Sequence, residues 1–219
     1  MIINPIFGWV YIEIPKTGST SIRAALKTIH GSFEYGRHIE LCELPTEFRD
    51  YRVFTVFRNP ISRLESLYDY MQQGDHISKY WEWFRPLHHE VTTMPFSTWL
   101  MDGKAPFCGG PWPHHQKYVM PEQLKPQSLW LDNPWSIKPK VFHYEKVFDP
   151  REFEYQQIRG FVGADFPHYH FNKTLSRQPH LIGRPALIHQ LAVHHKDMLK
   201  HYPGELIALK TEITPVLEH

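Results

Sequence analysis

Cysteine is scarce in this chain, and long apolar runs are missing. Only two cysteines, Cys42 and Cys108, occur among 219 residues. That number is too small for a disulfide scaffold and fits a reducing compartment. No segment approaches the about 18 consecutive apolar residues of a membrane span, and the first residues lack the basic and apolar regions of a signal peptide. We therefore expect a cytoplasmic protein with no membrane anchor.

A dominant charge is missing as well. Lys and Arg total 24 against 23 Asp and Glu, so the formal net charge is +1. Such a balance creates no general attraction for nucleic acids or other polyanions. We expect no nucleic-acid partner, and any site for an anion has to be local.

Three motif frames that carry common chemistry are also absent. The chain has neither Cys-x-x-Cys nor His-Glu-x-x-His, although its 16 histidines include the pairs His88-His89, His114-His115 and His194-His195. We therefore expect no metal site. The Gly-x-x-x-x-Gly-Lys-Ser/Thr spacing of the classical nucleotide triphosphatases is missing too, which argues against that activity.

The most informative stretch joins an apolar segment, a polar loop and a helical pattern. Residues 6–14 predict a strand that is buried on both faces. Helical spacing of apolar residues then predicts a helix over about 19–30: Ile22, Ala25, Leu26 and Ile29. The loop between them contains a cation and small residues next to a helix N-terminus: Lys16, Thr17, Gly18, Ser19, Thr20 and Ser21. These features favour phosphate binding.

The same strand, loop and helix order repeats further along the chain. Residues 51–57 predict a second strand, and Pro60 begins a predicted helix. A third strand is predicted at 139–144, with helices at about 149–162 and 185–201. We predict one α/β domain over residues 1–219 with a central, mostly parallel sheet flanked by helices, in which both loops lie at the same edge. Residues 217–219 resemble the start of an expression-tag remnant and are left out of the functional argument.

Two motifs carry a resemblance to a known family. Pro15–Ser21 resembles the 5′-phosphosulfate loop of sulfotransferases that use 3′-phosphoadenosine 5′-phosphosulfate (PAPS). Arg58–Tyr68 resembles the family's 3′-phosphate motif, with Pro60 two residues and Ser66 eight residues after Arg58. The likeness is closest to the carbohydrate branch that contains heparan sulfate 2-O-sulfotransferase. It covers residues 8–72 and, more loosely, 141–173, and implies a P-loop-like sulfotransferase fold.

The resemblance implies PAPS as the donor and 3′,5′-adenosine bisphosphate (PAP) as the product. Lys16 would bind the oxygen that bridges phosphate and sulfate, and residues 17–21 would hold the 5′-phosphate. Arg58 and Ser66 would hold the 3′-phosphate, because a guanidinium fork and a hydroxyl both suit its oxygens. Lys173 and Arg177 follow a coil that lies near the cofactor in the family, and we expect them to cover its phosphates.

Sulfuryl transfer also needs a base and an acceptor site. The family places the base between the first helix and the second strand, where His38 occurs; Glu40 is the alternative. His114 and His115 are a further choice for the base and, with Trp112, candidates for binding the acceptor. The expected acceptor is a hydroxyl, most readily one on a carbohydrate.

Two other functions stay open from the sequence. The first is a kinase-like phosphotransferase that acts on a nucleotide, although no carboxylates for Mg²⁺ can be located. The second is a non-catalytic module that binds a nucleotide or a sulfated glycan. The identity of the acceptor and the oligomeric state are not specified by any pattern in the chain.

Overall fold

The computed structural model describes residues 1–72, 88–103, 125–163 and 183–204. These residues form two compact units. The first comprises residues 1–58 and 129–163, and the second comprises residues 59–72, 88–103, 125–128 and 183–204. The expectation of one domain over 1–219 stays a prediction.

The first unit is built on a sheet that has five strands within the described residues. They are β1 (Ile2–Asn4), β2 (Trp9–Ile12), β3 (Phe33–Glu34), β4 (Arg52–Phe57) and β5 (Lys140–His143), in the spatial order β3-β1-β2-β4-β5. The pairs β2/β4 and β4/β5 are parallel, whereas β1 pairs antiparallel with both β2 and β3. The α/β class is confirmed, but the sheet is mixed and not mostly parallel.

The first predicted strand contains β2 and the turn before it, whereas β1 was not predicted. A turn at residues 5–8 separates β1 from β2, with Gly8 at a φ of 63°. The Oδ1 atom of Asn4 accepts a hydrogen bond of 2.9 Å from the Phe7 amide and thereby closes the turn. The strand predicted over 6–14 is confirmed at β2, but residues 6–8 belong to the turn, because their apolar side chains continue the pattern of the strand.

Both faces of the sheet are covered, as the apolar strands predict. Alternate residues such as Tyr11 and Phe54 point into one core, where they pack against helices α1 (Ser19–Lys27) and α5 (Phe153–Val162). Their neighbours on the same strands point into a second core with Trp130 and Leu41. The sheet is therefore packed on both faces, and the loops at its edge begin from buried strands.

Several shorter elements complete the first unit. Two 3-10 helices, Leu41–Glu43 and Thr46–Phe48, occur on either side of Pro45. Helix α4 (Tyr144–Val147) follows β5 directly. The helix predicted over 149–162 begins later, at Phe153, and ends at Gly163, which takes the left-handed conformation (φ 69°) at the C-cap.

The second unit is helical. It contains α2 (Pro60–Gln72), α3 (Phe96–Asp102) and α6 (Arg184–His201), and residues 88–93 are also helical. Its apolar core includes Tyr68, Trp99 and Ala186, one from each helix. Helix α2 begins at Pro60, as predicted, and the side chain of Asn59 caps it by accepting a 3.0 Å hydrogen bond from the Ser62 amide.

Helix α6 buries polar side chains. Asp197 accepts hydrogen bonds from the backbone amides of Gln127 and Ser128 at 2.6 and 3.2 Å. His194 is 1% exposed, and neither ring nitrogen has a hydrogen-bond partner among the described residues. Burial, together with the positive charge of Arg63 and with His189, lowers the pKa of His194 to about 3.

Because this imidazole is buried, we expect the free energy of unfolding to fall at acidic pH. Because the folded pKa of His194 lies below the ordinary 6.5, the unfolded chain takes up the proton first as the pH falls. We expect His194 to cost stability progressively from about pH 6.5 down to about pH 3, by a few kcal/mol at most. Denaturant unfolding at pH 7 and pH 4.5 should show a smaller pH dependence for His194→Leu than for the wild type. The exposed neighbour supplies the control: an equal change in His195→Leu would contradict the assignment.

No helix among the described residues is long and apolar enough to cross a membrane.

Candidate active site

Three strand ends meet at one edge of the sheet. Parallel pairing aligns Ile12 of β2 with Thr55 of β4, and Phe57 of β4 with His143 of β5. The chain therefore leaves these three strands at the same edge, which is where ligands bind in sheets of this kind. The predicted phosphate loop follows β2, and Arg58 follows β4. The expectation that the two loops lie together is confirmed by the contact described below.

The loop after β2 has an unusual backbone. Lys16 and Gly18 both have positive φ angles, 65° and 77°, and Gly18 is the N-cap of α1. The Gly18 carbonyl accepts hydrogen bonds from the amides of Ser21 and Ile22 at 3.0 and 3.2 Å, which starts the helix. The first amides of an α-helix have no partner within the helix, and a glycine N-cap brings no side chain to cover them. This geometry is suited to an anion at the N-terminus of α1.

Only some of the loop's side chains are accessible. Thr17 is fully buried, and its hydroxyl donates a 2.9 Å hydrogen bond to the Ile14 carbonyl. Ser19 and Ser21 are also buried, whereas Lys16 is partly exposed and Thr20 is exposed. The hydroxyl of Thr17 therefore stabilises the loop. Of the predicted phosphate-binding side chains, Lys16 and Thr20 are the two best placed to reach a ligand.

Two features of the loop require a glycine at position 18: its positive φ angle and the side chains packed against it. A Cβ atom there would lie 2.8 Å from ring atoms of Tyr144 and Phe148. We expect Gly18→Ala to lower the free energy of unfolding by about 1–3 kcal/mol, because it adds strain at a positive φ as well as this clash. Gly160→Ala is the matched control, since Gly160 lies within α5 with nothing near its missing Cβ. There we expect stabilisation by about 0.5–1 kcal/mol. Equal chemical-denaturation midpoints for the two variants would contradict this reading.

Arg58 is held against the phosphate loop. Its Nη1 atom donates a 3.3 Å hydrogen bond to the Lys16 carbonyl, and its guanidinium carbon lies 4.5 Å from the ring centroid of Tyr144. The guanidinium is therefore fixed from two sides, by the loop and by an aromatic face. Sequence reasoning predicted Arg58 but missed Tyr144, whose role depends on a packing contact between strand ends.

His38 contacts the start of the same loop. Its Nδ1 atom lies 3.0 Å from the Glu13 carbonyl oxygen, and His38 itself has a positive φ of 52°. A carbonyl can only accept, so Nδ1 carries the proton and Nε2 keeps the lone pair of the neutral ring. Burial lowers the pKa of His38 below 6.5, which keeps the imidazole neutral near pH 7. This is the tautomer that a general base needs.

Glu40, the alternative base, is in a different position. It is the N-cap of the 3-10 helix Leu41–Glu43, where its amide donates to Oε2 of Glu43 at 3.2 Å. One of its carboxylate oxygens accepts a 3.8 Å hydrogen bond from the thiol of Cys42. These contacts favour a capping role for Glu40 over proton transfer.

Glu13 is a second residue that sequence reasoning missed. Its side chain is 0% exposed, and Oε1 lies 3.6 Å from Nε of Arg23 on α1. Arg23 also contacts Oε1 of Glu34 on β3 at 3.3 Å. The available signal was a carboxylate at the end of an otherwise apolar strand, since a buried charge requires a partner.

Ser66 lies on α2 in the second unit and is 7% exposed. The other five predicted site residues, His114, His115, Trp112, Lys173 and Arg177, lie outside the described residues. Within the described residues, no three His, Cys, Asp or Glu side chains form a group that could hold a metal ion.

A scan against protein-family models, a search of curated proteins and a search of solved structures each found no match to this chain. The candidate site is therefore argued from its own geometry.

Proposed function

We propose that this protein is a sulfotransferase that moves the sulfuryl group of PAPS to a hydroxyl acceptor, most readily one on a carbohydrate, by in-line transfer. The supporting observation is that Arg58 and His38, predicted from separate stretches of sequence, both contact the loop at residues 13–18. The proposed phosphate-binding arginine and the proposed base thus contact the same loop. The resemblance in two motifs supplies the choice of cofactor, and the P-loop-like sulfotransferase fold belongs to the same proposal.

In this scheme the loop binds the donor and His38 acts on the acceptor. The amides at the start of α1 and the side chains of Lys16 and Thr20 hold the 5′-phosphosulfate. Arg58 takes the 3′-phosphate. As the acceptor oxygen forms its bond to sulfur, the bond from sulfur to the bridging oxygen breaks, and Nε2 of His38 takes the hydroxyl proton. Lys16 stabilises the negative charge that develops on the departing phosphate.

Ligand binding distinguishes this proposal from a kinase-like phosphotransferase. We expect PAP to bind the purified chain in EDTA, and AMP, which differs from PAP only by its missing 3′-phosphate, to bind about tenfold or more weakly. Isothermal titration calorimetry measures both. Binding of ATP that requires Mg²⁺, with no binding of PAP, would contradict the proposal and favour phosphoryl transfer.

A further inference from the structure

A buried carboxylate, that of Glu13, belongs to the residue that the candidate base contacts. Glu13 connects to His38 through its backbone carbonyl, and its own carboxylate points into the protein, where Nε of Arg23 is 3.6 Å away. Neither carboxylate oxygen has a hydrogen bond within the described residues, where Arg23 is an ion-pair partner of Glu13. The ion pair joins the residue before the phosphate loop to the second turn of α1, and therefore spans the loop.

We propose that Glu13 is a positioning residue for His38, and that its ion pair with Arg23 fixes the loop segment that the imidazole contacts. The inference rests on the proposed function for its catalytic meaning. Burial lowers the pKa of an imidazole, whereas a nearby carboxylate raises it. The balance of the two effects decides how readily the ring accepts a proton.

The charged groups around His38 act in different directions. Burial of the ring lowers the pKa of His38 most, and the positive charges of Arg37 and of the Met1 amino group lower it further. The carboxylate of Glu13 and the hydrogen bond to its carbonyl both raise it. Glu13 is therefore the acidic side chain that opposes the loss of basicity, and a stronger base abstracts the acceptor proton faster.

Arg23 has two acidic partners, and their effects on His38 can be compared. It contacts Glu13 at 3.6 Å and Glu34 at 3.3 Å, and Lys27 lies 3.1 Å from the second oxygen of Glu34. Glu34 shares the cation but is not among the groups that act on His38. Glu34→Gln is thus a matched control for Glu13→Gln, because each removes one carboxylate from Arg23.

The test is an NMR titration of the His38 ring, which needs neither cofactor nor acceptor. We expect Glu13→Gln to move the titration midpoint of His38 down by about half a pH unit or more, and Glu34→Gln to leave it near the wild-type value. A midpoint that is unchanged in Glu13→Gln, or that moves equally in both variants, would overturn the proposal. Because the titration involves no turnover, this outcome is separate from failure of the sulfotransferase proposal.

A second variant covers the case in which Glu13→Gln does not fold. Glu13→Met with Arg23→Met removes both members of the ion pair, so that neither charge stays buried alone. We expect the His38 midpoint to move down in this variant as well, with PAP affinity reduced because the loop is no longer held. A wild-type midpoint in the double variant would overturn the proposal. Where turnover is measurable, kcat should fall about two- to fivefold in Glu13→Gln with the acid limb of its pH profile moved down.

Discussion

Replacing His38 should abolish most of the turnover while cofactor binding stays nearly intact. We expect His38→Asn to reduce kcat about 10²- to 10⁴-fold, the usual contribution of a positioned general base. Asparagine is the informative substitution because His38 has a φ of 52°, a conformation that Asn tolerates and most residues do not. Single-turnover sulfate transfer from labelled PAPS measures the rate, and PAP titration measures binding.

Glu40 supplies the comparison for this prediction. It lies two residues from His38 and was the alternative base, but its contacts are those of a helix cap. We expect Glu40→Gln to keep kcat within about threefold of the wild type, with at most the modest stability loss of a weakened cap. If Glu40→Gln lost activity and His38→Asn kept it, the two roles would be reversed.

Replacing Arg58 should weaken binding of the cofactor. We expect Arg58→Ala to lose about 1.5–3 kcal/mol of PAP affinity, roughly 10- to 150-fold, the range for a hydrogen bond to a charged group. The loss arises because the guanidinium is fixed by the Lys16 carbonyl and the ring of Tyr144 before a ligand arrives. Titration calorimetry with PAP measures this loss directly.

Arg52, at the start of the strand that precedes Arg58, is the control. Arg52 is at the opposite end of β4, where its Nη2 atom donates a 3.1 Å hydrogen bond to the Phe7 carbonyl. We expect Arg52→Ala to leave PAP affinity unchanged. With AMP in place of PAP, the loss caused by Arg58→Ala should largely disappear, because the missing 3′-phosphate is the proposed contact. An equal loss for the two ligands would assign Arg58 to another part of the nucleotide.

The elements with strong local patterns were predictable from the sequence. The spacing of Ile22, Ala25 and Leu26 predicted α1, and all three are buried in the first core. Pro60 marked the start of α2, because proline loses nothing at the first position of a helix. Patterns of this kind depend only on which side of one element is buried and which faces water. They therefore predict that element without knowledge of the rest of the chain.

Features that depend on pairing between distant segments could not be predicted. Strands β1 and β3 have three and two residues, too few for a periodic signal, and neither strand was predicted. The packing of Tyr144 on Gly18 and Arg58 joins residues more than eighty positions apart. Such contacts are set by the order of strands in the sheet, and the sequence shows no local trace of that order.

Some residues of the candidate site were proposed from the sequence, whereas Tyr144 and Glu13 were not. Lys16, Arg58 and His38 were chosen from chemistry and resemblance, and the two contacts to residues 13–18 connect them. The hydroxyl of Thr17 was expected to bind phosphate, but it stabilises the turn by bonding the Ile14 carbonyl. Whether a small polar residue faces a ligand or its own backbone depends on rotamer and burial, which a sequence pattern does not specify.

Transfer of radiolabelled sulfate from PAPS tests the central claim most directly. The purified chain is incubated in EDTA with labelled PAPS and a panel of glycans and small alcohols, beside His38→Asn as the inactive control. The account predicts that label reaches at least one hydroxyl-bearing acceptor with wild-type protein and falls about 10²-fold or more with the variant. Binding of PAP with no labelled acceptor across the panel would contradict it and favour a module that only binds the nucleotide.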